Sequence, residues 1–159
     1  MPVEVLMDLK QLVTQKEFYI SNRKEFISCE LRPVWRISLL VLMVKLVGRA
    51  NKASRNKIHL VNWALKKSEH ADSYISYVQQ ITNKRPFINL DPAMDKAIDY
   101  ALYSKLVTVD NNRVTLSETG TELANQLIKL DAFEVEKSIF KSMKPDLSED
   151  KVTKAFEGK

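Results

Sequence analysis

The sequence predicts a mostly α-helical protein with one β-hairpin, and three observations support this fold class. Glycine and proline are scarce, with three and five residues among 159, which disfavours the many turns of an all-β fold. Apolar residues recur at helical spacing in several segments, which proline or helix-capping residues separate. Two short alternating runs flank a polar turn near residue 111. With 45% apolar residues, the chain can form one domain with a buried core.

The N-terminal residues 1–31 are treated as an arm in front of the main domain. Within it, residues 3–14 place their apolar side chains on one face, which predicts a helix. Residues 17–31 allow either a short hairpin or a continuing helix. Cys29 is the single cysteine, so an intramolecular disulfide is excluded, and a buried structural thiol is the default interpretation.

A long apolar helix is predicted immediately after Pro33, because the residue before a proline resists helix formation. It runs over residues 34–47 and is apolar nearly all round, which is typical of a central buried helix. Gly48 is expected to end it. A linker, residues 49–53, then leads to Ser54, a favourable residue for capping the next helix.

The next helix, predicted over residues 55–67, has two faces of different character. The apolar face should pack on the core and contains Ile58, Val61 and Leu65. The polar stripe, which we expect at the surface or at an interface, contains Arg55, His59, Asn62 and Lys66. Trp63 lies near the stripe, where a core or interface anchor is commoner than a platform for stacking bases.

Two further helices precede the hairpin. The first is predicted over about 72–82 and buries Ile75 and Val78, with His70 in the turn before it. The second is predicted over 92–105, because Asp91 can cap its free N–H groups and Pro92 suits its first position. The residues expected to face inward are Met94, Ile98, Ala101 and Leu102.

The hairpin is predicted over residues 106–116, around a turn of residues that tolerate left-handed backbone. A last helix follows, with Thr119 and Glu122 as a capping box and with Leu123, Leu127 and Leu130 on its inner face. The phrase LVTVDNNRVTLSETGTEL closely resembles winged-helix proteins, whose hairpin is the wing. We therefore expect a winged-helix domain over residues 32–130.

The C-terminal residues 131–159 form a helical tail that Pro145 interrupts. Phe133, Ile139 and Phe140 are expected to pack on the domain. Val152, Ala155 and Phe156 form a weak amphipathic turn, for which a frayed terminus is the default. The alternative is a helix that docks on a partner, which makes Phe156 a candidate for partner contact.

Positive charge concentrates in one part of the chain. Residues 31–68 hold nine Lys or Arg residues and no Asp or Glu, and the net charge of +5 permits contact with nucleic acid or acidic proteins. The alternative is a basic face that is exposed to solvent and binds no partner. The candidates for contact with DNA or an acidic partner are Arg49, Lys52, Arg55, Lys57, Lys66 and Lys67.

The helix over 92–105 is the one that normally enters the major groove in a winged helix. Here Asp91, Asp95 and Asp99 repeat along it, and carboxylates that face phosphates repel them. Groove recognition by this helix is therefore disfavoured. The same three residues could hold a cation, but a solvated or salt-bridged face is far commoner.

No enzymatic function is predicted, and neither is a catalytic residue, cofactor, metal or small-molecule substrate. The sequence lacks phosphate-binding glycine loops and the nucleophile elbow of hydrolases, and it has two histidines. The most apolar run, residues 37–47, is shorter than the ~20 residues that span a bilayer, and no signal pattern opens the chain. We expect a soluble, cytoplasmic protein without membrane contact.

One family resemblance arises from the segment RPVWRISLLVLMVKLVGRANKASRNKIHLVNWALKK. It resembles the middle components of ABC three-component bacterial defence systems, which include Lamassu: an apolar helix, a basic linker, a K-x-H-x-x-N-W-A-L helix and a winged-helix hairpin. In this sequence the motif consists of Lys57, His59, Asn62, Trp63, Ala64 and Leu65.

The resemblance implies a non-catalytic subunit that joins an SMC-like ABC ATPase to a nuclease-type effector. His59, Asn62 and Trp63 would then fix the linker or touch the partner, and contact with double-stranded DNA would be auxiliary. The alternative hypothesis is a small winged-helix DNA-binding transcriptional regulator that uses the basic residues.

Overall fold

The computed structural model describes residues 31–158, and the predictions for residues 3–14 and 17–30, including Cys29, lie outside that range. The described chain is mostly helical with a small antiparallel sheet. The elements are α1 Pro33–Val47, β1 Lys52–Ser54, α2 Arg55–Leu65, α3 Ser68–Val78, α4 Pro92–Tyr103, β2 Val107–Asp110, β3 Arg113–Leu116, α5 Glu118–Lys129, α6 Glu134–Met143, a short 3-10 helix Lys144–Asp146 and α7 Glu149–Glu157.

Helix α1 is the centre of the fold, as its sequence predicts. Every residue from Leu39 to Val44 is buried, and the helix packs against α4, α5 and α6. Gly48 ends the helix with an extended backbone rather than a left-handed one. Its lack of a side chain matters because a Cβ would lie 2.2 Å from the Val44 carbonyl oxygen and 2.7 Å from that of Lys52.

The predicted hairpin is confirmed: β2 and β3 pair antiparallel across Asn111 and Asn112, which both have positive φ. The prediction of a linker over 49–53 is wrong for its last part, because β1 pairs antiparallel with β3. The strand order is β1-β3-β2. A three-residue strand carries no readable periodicity, and its partner lies far along the chain.

Helix α2 begins at the predicted cap, since the Ser54 hydroxyl accepts a hydrogen bond from the Lys57 N–H. It ends at Leu65, and α3 begins at Ser68, so the predicted start near residue 72 is late. His70 is therefore in the first turn of α3 rather than in a preceding turn. Tyr74 and Val78 of α3 are buried.

Helix α4 has the predicted cap, with the Asp91 carboxylate accepting a hydrogen bond from the Ala93 N–H. Leu102 was expected to face inward but lies exposed in the last turn. The predicted capping box of α5 is also wrong. The cap is Ser117, whose hydroxyl accepts from the Gly120 N–H.

The C-terminal residues belong to the same core as the rest of the described chain. Phe140 packs there as expected. The expectation of a frayed terminus is wrong, because α7 buries Val152 and Ala155 against α2 and α3. The Tyr74 hydroxyl donates to the Asp146 backbone oxygen at 2.8 Å, which ties α3 to the chain just before α7. None of the helices in the described range is long and apolar enough to cross a bilayer.

Candidate functional site

The polar stripe of α2 faces the acidic side of α4. Asp95 Oδ1 accepts hydrogen bonds from Arg55 Nε and His59 Nε2, both at 2.9 Å. The stripe repeats at intervals of four and three residues, and the two aspartates of α4 are four apart, so the side chains match along the two helices. The stripe therefore lies in a contact between helices.

Asp91 is the second centre of this contact. Its Oδ2 accepts from Asn62 Nδ2 at 3.2 Å, Lys66 Nζ at 3.0 Å and Arg36 at 3.3 Å. Burial alone would raise the pKa of Asp91, but the hydrogen bonds from Lys66, the Ala93 N–H and Asn62 outweigh burial and lower the pKa to about 2. Asp91 thus remains a carboxylate at any physiological pH.

His59 is buried between the same two aspartates, with 3% of its surface exposed. Its Nδ1 accepts from the Asp91 N–H at 3.4 Å, so Nε2 carries the proton that it donates to Asp95. The expectation that His59 would lie at the surface or at an interface is wrong for this fold. Its role here is to join α2 to the cap of α4.

The remaining motif residues contact other helices. Trp63 is 5% exposed and stacks on His70 of α3, with ring centroids 4.1 Å apart. Lys57 is also 5% exposed, and its ammonium pairs with Glu149 of α7 at 2.9 Å. Burial would raise the pKa of Glu149, but hydrogen bonds from Lys57 and Ser54 outweigh it and lower the pKa. Trp63, predicted as a core or interface anchor, occupies the core.

The residues predicted to contact a partner or DNA therefore differ widely in burial and in ion pairing. His59, Asn62 and Trp63 are buried, whereas Phe156 is partly exposed. Lys57 is not available to DNA in this structure, because Glu149 and the surrounding core enclose it. Arg55 and Lys66 are engaged by the aspartates of α4. The predicted basic contacts that remain exposed without an ion pair in the described range are Arg49, Lys52 and Lys67.

Arg49 and Lys52 line an open cleft of about 920 Å³ between the edge of the sheet and the turn at Pro145. Arg113 of β3 and Lys144 of the 3-10 helix line the same cleft. Lys144 was missed, because nothing in the sequence places the tail beside β1.

A second surface lies between the start of α1 and α4. A groove of about 240 Å³ is lined mainly by apolar and aromatic residues together with the two cations Arg36 and Lys96; the others are Leu31, Pro33, Ala93, Ala97 and Tyr100. Leu31 is 70% exposed and Tyr100 52% exposed. An apolar groove with a polar rim is typical of a surface that binds a protein. These residues were not predicted as a contact surface from the sequence.

The outward face of α4 differs from the predicted one. Asp91 and Asp95 turn toward α2 and pair with Lys66 and Arg55, which is the salt-bridged face expected as the commoner outcome, so of the three carboxylates only Asp99 is left without an ion pair in the described range. Asp99 is exposed, and it shares the outward face with Lys96, Tyr100 and Tyr103. This face is aromatic and carries little net charge.

Within the described residues, no group of three or more His, Cys, Asp or Glu side chains could hold a metal ion. Both histidines are engaged in contacts between helices. Comparison with protein-family models, with curated proteins and with solved structures finds no match to the chain.

Proposed function

We propose that the protein is a non-catalytic bridging subunit of a Lamassu-type antiviral complex. It would join an SMC-like ABC ATPase to a nuclease-type effector by protein–protein contacts. The support comes from the resemblance in the K-x-H-x-x-N-W-A-L helix and from what its residues do. Lys57, His59, Asn62 and Trp63 each hold α2 to a neighbouring helix, so the motif serves the scaffold rather than any chemistry.

A winged-helix fold is part of the proposal. The strand order β1-β3-β2 and the succession α1, β1, α2, α4, β2, β3 support it, with α3 as an additional helix between α2 and α4. The β2–β3 hairpin would be the wing, and α4 would occupy the position of the helix that enters the major groove.

The single observation that carries the bridging role is the apolar groove beside α4. A helix that binds DNA typically exposes several cations, whereas α4 exposes Tyr100 and Tyr103 beside the single cation Lys96 and borders a groove lined by Leu31. Removing such a surface from water contributes about 25 cal/mol per Å² of apolar area, which opposes the entropy cost of association. The groove is therefore proposed as the contact with the ATPase or the effector.

Co-expression with the neighbouring genes, among which the proposal expects an SMC-like ATPase and a nuclease-type effector, tests the proposal. The tagged protein should retain at least one of them through affinity purification and gel filtration. Tyr100→Asp should weaken the association at least tenfold, because it places a charge in the groove. The control is Ile81→Asp, which places the same charge at an exposed apolar residue elsewhere. Failure of the wild-type chain to associate with either protein contradicts the bridging role.

The second candidate is a small winged-helix DNA-binding transcriptional regulator, and the cleft with Arg49 and Lys52 favours it. A regulator should prefer its operator over random duplex by roughly 10³-fold or more. Binding selection from a random duplex library measures this preference. Recovery of no enriched sequence contradicts the regulator.

A further inference from the structure

The open cleft beside β1 is built from three segments that are far apart in the sequence. Arg49 and Lys52 come from the turn after α1, Arg113 from β3, and Lys144 from the 3-10 helix. All four side chains are exposed. The fold thus gathers cations that no single stretch of the sequence contains.

The charge balance of the cleft is positive. Across residues 31–158, none of these four cations forms a direct ion pair, although Arg113 lies close enough to Glu149 to contribute to the lowering of its pKa. Two carboxylates, Glu149 and Asp150, also line the cleft, but Glu149 is neutralised by Lys57. The lining therefore holds four cations against the single charge of Asp150, and an anionic ligand would relieve their mutual repulsion.

The backbone beneath two of the cations is fixed. The Arg49 N–H donates to the Lys52 carbonyl at 2.9 Å, and the Lys52 N–H donates back at 3.1 Å. Ala50 and Asn51, between them, have left-handed backbone, and the Asn51 carbonyl accepts from the Leu116 N–H. The turn is thereby attached to the sheet, so binding costs the backbone little ordering entropy.

The lining of the cleft also indicates the form of the anion. It contains no Phe, Trp or Tyr side chain. Single-stranded nucleic acid is typically held by stacking its bases on aromatic side chains, whereas duplex DNA presents its phosphates outward in regular rows. Arginine and lysine without aromatic neighbours suit the duplex backbone.

We propose that this cleft binds the phosphate backbone of double-stranded DNA, independently of sequence, through Arg49, Lys52, Arg113 and Lys144. The inference rests on the proposed function for the presence of DNA near the chain, and it assigns the auxiliary contact to one surface. Lys57 and Lys66 were also expected from the sequence to contribute. Lys57 lines the cleft, but it is buried and its ammonium pairs with Glu149, whereas Lys66 pairs with Asp91 and does not line the cleft.

Fluorescence anisotropy of the purified full chain with a labelled random-sequence duplex tests the cleft between 50 and 200 mM salt, a range in which phosphate contacts lose affinity steeply. Changing Arg49, Lys52, Arg113 and Lys144 together to Glu should weaken binding more than tenfold. Each lost phosphate contact reduces the slope of log K against log salt by about 0.9 in magnitude, so the slope should become shallower by about 3 to 4. The matched control changes four exposed lysines elsewhere to Glu: Lys84, Lys105, Lys129 and Lys141.

Equal losses in the two quadruple variants would overturn the proposal, because net charge alone would then explain the binding. A wild-type chain that does not bind duplex, or that prefers single-stranded DNA, RNA or an acidic peptide, would overturn it as well. The single variant Asp150→Asn tests the duplex affinity of the cleft without requiring that a quadruple variant folds. It should increase duplex affinity several-fold, and unchanged or reduced affinity would count against the cleft.

This measurement needs no partner, so its outcome is separate from that of co-purification. A chain that binds duplex through the cleft but associates with neither partner would retain the cleft and refute the bridging role. A chain that bridges the two proteins but does not bind duplex DNA would retain the bridging role and refute the cleft.

Discussion

Asp91 is the residue at which α1, α2 and α4 meet. It caps α4 through the Ala93 N–H and accepts hydrogen bonds from Asn62 and Lys66 of α2, while Arg36 of α1 pairs with it. Its side chain is 12% exposed, so these contacts are only weakly screened by solvent. One carboxylate thus connects three helices.

Replacement of Asp91 by Asn tests this role. The pKa of about 2 in the folded chain lies below the ordinary 3.8, so the charge adds stability that is complete above pH 4 and is lost as pH falls toward 2. The shift corresponds to about 2 kcal/mol. Urea unfolding at pH 7 should find the Asp91→Asn variant less stable by about that amount, since Asn retains the cap. At pH 2 the difference should shrink.

Asp99→Asn is the control for that experiment, because Asp99 lies on the same helix, is exposed and forms no ion pair in the described range. Its stability should stay within about 0.5 kcal/mol of wild type. A pH-independent difference for the Asp91 variant would mean that the charge contributes nothing.

At the level of side chains, the sequence reveals the stripe on α2 but misses its partner. Arg55, His59, Asn62 and Lys66 share a face by spacing alone. Spacing does not say whether such a face meets water, a partner or another helix. The four-residue interval between Asp91 and Asp95 is the complementary signal, and the two patterns together could have predicted the contact.

Helix α7 shows that tertiary packing can determine whether a short segment is helical. Nine residues are too few for an isolated helix to be stable in water. Here Val152 and Ala155 are buried, and the Ser148 hydroxyl caps the first turn. The stability of α7 therefore comes from the contact with α2 and α3, which the local sequence does not display.

Val152→Asp tests whether α7 is part of the cooperative fold. A buried, unpaired carboxylate should cost about 3 kcal/mol or more, whereas Thr153→Asp, at an exposed neighbouring position, should change stability by less than about 0.5 kcal/mol. Thermal unfolding followed by circular dichroism measures both. If the two variants melt at the same temperature as wild type, the terminus is not packed as the structure has it.

Elements whose signals lie within one stretch of sequence could be predicted, whereas elements that depend on contacts with distant residues could not. Helices α1, α2 and α4 and the β2–β3 hairpin carry periodicity, caps and turn residues within one stretch of sequence. Strand β1 has three residues and acquires its conformation from β3, a partner more distant than any local pattern reaches. The cleft shares this dependence, because Lys144 joins Arg49 only after the tail has packed.

For the molecule as a whole, the two proposed surfaces lie toward opposite ends of α1. The apolar groove includes Pro33 at its start, and the basic cleft includes Val47 at its end. Fifteen helical residues span about 22 Å, which leaves room for a protein at one end and DNA at the other. A subunit that connects two partners needs this separation.

The most direct test of the bridging role is to capture the tagged SMC-like ATPase with and without this chain and to quantify the effector recovered. If the chain bridges the two proteins, the effector is recovered when the wild-type chain is present and falls to background without it. Equal recovery of the effector in the absence of the chain, or no recovery in its presence, would contradict the bridging role.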